Sequence, residues 1–266
     1  MASPSTVAHT RSYQDQTAVQ HHDKQRLQSI LAEKSWFGFD LDDTLHDFRG
    51  ASSTATKSTL AAISQRHAIS LPILQDHYAK VLREKTANAF SDGRTSFDYR
   101  KERFVSVLAY FSLPLDEQFL GQLLELYETT LSSSLCLKPG ALSLLTMLKR
   151  EGKSIVVITE GPQDAQERTI SHLGLAPYID CLITTNHFGV TKLDGLFTKV
   201  LEHLRITSKD MAYIGDSEVR DMEPAMAIGI FSIHLAETKP SLLAALPLQI
   251  NTLVDLEGIL KIDEQV

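Results

Sequence analysis

The period of apolar and polar positions changes twice along the chain. Residues 1–16 are polar and aperiodic, a composition that predicts a disordered tail. The stretch "VQHHDKQRLQSILAEK" predicts a short lead-in helix, with His21 and His22 as a solvated pair. A first strand is expected near residues 35–40. Residues 53–132 then hold no strand-like apolar run. Helical stripes fit there instead: Leu60, Ile63 and His67; Phe97, Phe104, Leu108 and Phe111; Phe119, Leu123, Leu126 and Leu131. These predict roughly four helices, one of them capped by Asp116 in "LPLDEQ".

From about residue 137 the pattern alternates. "KPGALSLLTMLKREG" reads as a helix opened by Pro139 and closed by Gly152. "SIVVIT", "YIDCLITT", "MAYIGD" and "IFSIHL" read as strands, separated by the helical stretches "PQDAQERTISHLG", "LDGLFTKVLEHL" and "VRDMEPAMAIG". Apolar strands alternating with helices predict an α/β fold, a Rossmann-like, doubly wound parallel sheet covered on both faces. The core is expected from residues 17–52 and 133–266, with an all-helical insertion at 53–132.

Composition narrows the function classes. Apolar residues are 43% and charged residues 22%, as in an ordinary globule. The formal net charge of -7 argues against a nucleic-acid partner, because phosphate contacts need clustered Lys and Arg. No run of 18 apolar residues suggests a membrane span, and "MASPSTVAHTRSYQDQ" lacks the apolar centre of a secretory signal. Cys136 and Cys181 fit neither a metal spacing nor a disulfide framework. Two reduced thiols in a cytoplasmic protein are the expectation.

The chemistry sits where strands are expected to end. "WFGFDLDDTLHDF" sets Asp40, Asp42, Asp43 and Asp47 at the mouth of the first strand. Like charges that close repel, so a positive partner is expected. "SIVVIT" ends in Thr159, followed by Glu160 and Gly161, and "MAYIGD" ends in Gly215 and Asp216, with Asp221 five residues on. Lys192 follows the third strand. In open α/β sheets the ligand lies at the carboxyl ends of the strands, so one crevice would gather these groups. Carboxylates from two strand ends suit a hard cation such as Mg²⁺. One of them could attack phosphorus, and a second, two residues on and on the same side of an extended chain, could move protons.

"FDLDDTL", "VVITEG", Lys192 in "GVTKLDGLF" and "YIGDSEVRD", in that order, resemble the four motifs of the haloacid dehalogenase (HAD) superfamily of phosphohydrolases. The resemblance runs from residue 36 to about 235. It implies a small-molecule phosphate ester as substrate, with Asp40 as nucleophile and Asp42 as general acid/base. It also implies Mg²⁺ held by Asp40, the Asp42 carbonyl and Asp216 with support from Asp221, and phosphoryl contacts from Thr159 and Lys192. The insertion then becomes a mobile cap hinged near 47–53 and 132–139. Two positions depart from the pattern: Glu160 stands where the family often has Asn, and Leu193 where it often has Pro.

Within the insertion, "DGRTSFDYRKERF" offers Arg94, Tyr99, Arg100 and Arg103 toward a substrate. The plainer expectation buries Phe97 and Phe104 and leaves the charges on a solvated face. Nucleotide, sugar or polyol, and isoprenoid or other secondary-metabolite phosphates all remain open as substrates. Alternatives are a phosphomutase or phosphotransferase, a dehalogenase and a non-catalytic scaffold. The dehalogenase branch lacks an acid at the Asp42 position, and the intact acidic set argues against a scaffold.

Overall fold

The computed structural model describes residues 24–85, 90, 92–237 and 248–261. The expected polar tail, with His21 and His22, lies outside the described residues. The lead-in helix, α1, is helical over 24–32 and buries Leu31 against the sheet.

Six strands form one parallel sheet: β1 (Trp36–Phe39), β2 (Ser154–Thr159), β3 (Cys181–Thr184), β4 (Met211–Gly215), β5 (Phe231–Leu235) and β6 (Leu248–Ile250). Their order is β3-β2-β1-β4-β5-β6. Strand side chains alternate between faces. Phe37 and Phe39 therefore join Ile155, Val157, Ala212 and Ile214 on one face, against α6 (Ala141–Arg150) and α11 (Leu253–Leu260). Val156, Ile158, Met211 and Tyr213 form the other, against α9 (Leu196–Leu204) and α10 (Glu223–Ala227). Fully burying one such side chain contributes about 1.5–3 kcal/mol. Cover on both faces explains why these strands read as unbroken apolar runs. Gly38 falls on the Tyr213 face, where an added Cβ would come within 2.8 Å of the tyrosine ring. The expected doubly wound core is present, with β6 and α11 added beyond the elements read from sequence.

Between β1 and α6 stand four helices: α2 (Phe48–His67), α3 (Leu71–Lys85), α4 (Ser96–Tyr110) and α5 (Glu117–Ser134). They share an apolar core of their own, separate from those of the sheet. Asp116 caps α5 as expected, accepting from the amides of Gln118 and Phe119. The first helix starts earlier than residue 53. Asp47 caps it by accepting from the Gly50 amide at 3.0 Å, and Ala51 and Ala55 are buried in the helical core. The ingoing and outgoing chains are neighbours: His46 bridges Leu137, the Asp47 amide donates to the Cys136 carbonyl, and the Lys138 amide donates to the Leu45 carbonyl.

The face expected for α4 is corrected. Phe97 is 51% exposed, whereas Tyr99 and Arg100 are buried beside Phe104. The first turn of α4 packs on α7 (Gln163–His172) of the core as well as on α5 of its own bundle. There the Ser96 amide and hydroxyl donate to the Asp164 carboxylate at 2.8 and 2.7 Å. Arg168 donates to Asp164, the Ser96 hydroxyl and Glu128, and Arg100 also pairs with Glu128. The result is a polar latch between the two units. Asp164→Ala removes the acceptor of the Ser96 amide, a charge-assisted bond of about 1.5–3 kcal/mol. Amide exchange at Ser96 is expected to quicken roughly 10- to 100-fold. Unchanged exchange would mean the latch contributes nothing to closure.

Cys136 and Cys181 are unbridged, and no helix among the described residues is long and apolar enough to cross a membrane.

Candidate active site

The sheet changes direction between β1 and β4, since β2 and β5 follow on opposite sides. A crevice opens at the carboxyl ends of strands at such a point. Asp40 directly follows β1 and ties it to β4 through its amide, which donates to the Ile214 carbonyl at 2.9 Å. Asp216 directly follows β4, and Thr159 ends β2.

Lys192 enters from the loop after α8 (Thr185–Phe188). Its ammonium, 3% exposed, lies 2.6 Å from Asp40 Oδ1 and 2.5 Å from Asp221 Oδ1. Asp221 comes from a π-helical turn, Glu218–Met222, a local widening often found at functional sites. It also accepts from the Tyr213 hydroxyl at 2.8 Å and the Ser217 amide at 3.0 Å. A Cβ at Gly215 would lie 2.6 Å from Asp221 Cγ, so that position has no room for a side chain.

Asp42 is held at both oxygens. His46 Nε2 lies 3.0 Å from Oδ1, and Gln166 Nε2 donates to Oδ2 at 3.2 Å. Gln166 packs so closely over Gly161 that a Cβ there would clash with its amide. Asp43, at φ 64, takes the amide and guanidinium of Arg49, whose Nη2 also reaches Asp216 at 2.8 Å. Glu160 turns toward the Lys192 loop: it accepts from the Lys192 amide at 2.9 Å, with Arg220 at 3.6 Å. Its negative charge thus fixes backbone.

Burial governs the electrostatics. It raises the Asp40 carboxyl well above its usual value; Lys192 opposes this and Asp221 adds to it. Burial alone would depress Lys192, yet Asp221 and Asp40 outweigh it and hold the ammonium above its usual range. Asp216 is raised by burial and by Asp221, with Arg49 opposing. One ammonium thus faces two buried carboxylates, and a third stands close by. Asp40, Asp216 and Asp221 each offer an oxygen within 4.8 Å of the others. This all-oxygen, charge-deficient set fits Mg²⁺.

Ten of the residues singled out as candidates line one cavity of about 390 Å³: Asp40, Asp42, Thr159, Glu160, Gly161, Lys192, Asp216, Asp221, Arg100 and Arg103. Arg94 and Tyr99 do not: Arg94 pairs with Glu102, and Tyr99 is buried in α4. Arg49, His46, Gln166 and Tyr213 were not anticipated. Only His46 had a local signal, four residues from Asp42 in the first motif. Gln166 reaches Asp42, and Arg49 reaches Asp216, from elements distant in sequence.

A family model described as haloacid dehalogenase-like hydrolase matches residues 35–229. Proteins described as glyceraldehyde 3-phosphate phosphatase are similar in sequence. That of Pyrococcus furiosus is 26% identical over 73% of this chain and 78% of its own. That of Methanocaldococcus jannaschii is 29% identical, over only 38% of this chain and 45% of its own. A 2-haloacid dehalogenase of Pseudomonas syringae shares the fold at 22% identity and TM-score 0.66, covering 85% of this chain and 98% of its own. The HAD-hydrolase YfnB of Bacillus subtilis, bound to magnesium, does so at 21% and 0.66, covering 86% and 99%. With the model spanning most of the chain and the motif residues converging on one cavity, this protein belongs to the haloacid dehalogenase-like hydrolases.

Proposed function

We propose that the protein is a Mg²⁺-dependent phosphatase acting on a small organic phosphomonoester through an aspartyl-phosphate on Asp40. The observation that carries this reading is Asp42. A second carboxylate, held by His46 and Gln166, faces the same cavity as Asp40. Displacing a halide calls for no proton donor, whereas expelling an alkoxide does. The phosphatase names of sequence relatives support the same reading.

In the proposed reaction an oxygen of Asp40 attacks phosphorus and the bond to the leaving oxygen breaks. Asp42 gives that oxygen its proton. The Asp42 carboxylate then takes a proton from water, whose oxygen attacks the phosphorus of the acyl-phosphate. Inorganic phosphate leaves and Asp40 is restored. Thr159 and the amides after β2 hold the phosphoryl oxygens, a kind of contact worth about 10²- to 10³-fold in rate. Lys192 keeps Asp40 oriented and offsets charge. Asp40, Asp216, the Asp42 carbonyl and Asp221 would hold or support the Mg²⁺, which when bound lowers the repulsion between phosphate and carboxylates. The four-helix unit acts as a cap, excluding water when latched. The interdomain movement described for YfnB is in keeping with that role.

Phosphate release from a panel of phosphomonoesters, before and after chelation, tests this. Turnover lost with EDTA and restored by Mg²⁺ is expected. Halide release from 2-chloropropionate without phosphate release from any ester would overturn it.

Gln166 is assigned as a positioning residue for Asp42. Gln166→Leu is expected to lower kcat about tenfold with KM changed less than about twofold, because ground-state binding does not use Asp42. A rise in KM at constant kcat would instead place Gln166 against the substrate.

A further inference from the structure

Charges around the cavity do not cancel evenly. Six cationic side chains line it. Lys192 is matched by Asp40 and Asp221, Arg49 by Asp43 and Asp216, and Arg220 by Glu160. Arg100 and Arg168 share Glu128, and Arg168 also has Asp164. Arg103 is different. Among the described residues it makes no ion pair, although it is half-buried. Its Nε donates to the Tyr99 carbonyl one turn back at 3.1 Å, which fixes the plane of the guanidinium. Its terminal nitrogens have no hydrogen-bond partner among the described residues.

Arg103 lines the cavity, with the buried Tyr78 nearby. Burial raises the Tyr78 phenol above its usual value, and the nearby Arg103 charge is the largest effect opposing that rise. Where α4 and α5 meet α7, three guanidiniums, Arg100, Arg103 and Arg168, therefore stand against two carboxylates, Glu128 and Asp164. One positive charge is left over, on a cavity-lining residue that none of the proposed phosphoryl steps uses. Phe48, Leu82, Leu131 and Leu135 add apolar lining from the helical unit. A partly buried cation without a counter-charge is costly, and the planar fork of arginine suits carboxylate and phosphate oxygens.

We infer that the substrate's leaving group carries a second anionic group, a carboxylate or a further phosphate, at the end of a short apolar stem, and that Arg103 binds it. This rests on the phosphatase reading and narrows its substrate class to dianion-plus-anion esters. Arg103 then acts as a specificity residue: it sets which ester is chosen without touching the reacting atoms. Arg100, neutralised by Glu128, serves the latch.

The experiment uses straight-chain alkyl phosphates of two to six carbons, each with an ω-carboxylate and an ω-phosphate counterpart. The readout is kcat/KM of the charged ester divided by that of its neutral match. Wild type is expected to favour one charged series by about 10- to 100-fold at its best length, and which series wins identifies the anion. Arg103→Gln should bring that ratio to within about threefold of unity, and Arg103→Lys should restore part of it. Binding of the same esters to an Asp40→Asn background, with and without Arg103→Gln, gives a readout that needs no turnover. If no ester turns over but the binding preference depends on Arg103, the phosphatase reading fails and the anion site stands. If esters turn over with no charged preference at any length, or if Arg103→Gln leaves the preference intact, the anion site is refuted and the phosphatase reading stands.

Discussion

Asp40→Asn is expected to reduce phosphate release by on the order of 10³-fold or more, because the amide has the shape of the carboxylate but not its nucleophilic lone-pair charge. The fold should survive. Asp40 is buried and accepts from Lys192 at one oxygen and from the Thr44 hydroxyl at the other; the asparagine oxygen keeps the Lys192 bond, and its NH2 group can donate to the Thr44 hydroxyl oxygen. Lys192 keeps its stronger partner, Asp221, at 2.5 Å. A homogeneous Asp40→Asn preparation that turned over at near wild-type rate would eliminate the covalent mechanism. Loss of activity together with loss of the thermal transition would point to a structural role.

Lys192→Met should have the largest effect on stability. Methionine fills similar volume, but the change strands Asp40 and Asp221, 5% and 1% exposed, without their shared cation. Breaking a buried pair by removing one partner typically costs 3–5 kcal/mol, and a drop in melting temperature on the order of 10 °C is expected in chelated enzyme. Adding Asp221→Asn to Lys192→Met should recover part of that loss, since one unpaired charge is gone. A double mutant less stable than the single would show that Asp221 is held mainly by Tyr213 and Ser217, with the ammonium secondary. Mg²⁺ should rescue the stability of Lys192→Met more than that of wild type, because the ion supplies the missing positive charge.

The core was legible because burial on both faces forces continuous apolar runs, and the runs of β1, β2 and β4 each ended at a residue of the candidate site. β6 escaped because "LQI" is too short to show a period, and α8 because four residues make barely one turn. α4 misled for a physical reason. An apolar stripe was assumed to mark the buried face, but Ser96, Tyr99 and Arg100 are the residues its first turn buries, against Asp164, Glu128 and Tyr127. A helix that faces a polar cleft hides polar side chains and can leave a phenylalanine outside. The motif positions of the site could be read from sequence. Their partners could not, because Gln166 meets Asp42 across 124 residues and Arg49 meets Asp216 across 167.

The short ribbon joining Leu45–Asp47 to Cys136–Lys138 makes the four-helix unit an exchangeable part. Its two ends leave the core hydrogen-bonded to each other, so a tight turn could bridge them at little cost in chain entropy. Asp40 and Asp42 lie before the ribbon and Thr159, Lys192 and Asp216 after it. Any segment whose ends meet could be grafted at this junction without disturbing the register of the sheet. Exchange of the helical unit would then alter one wall of the cavity while leaving the residues at the strand ends in place.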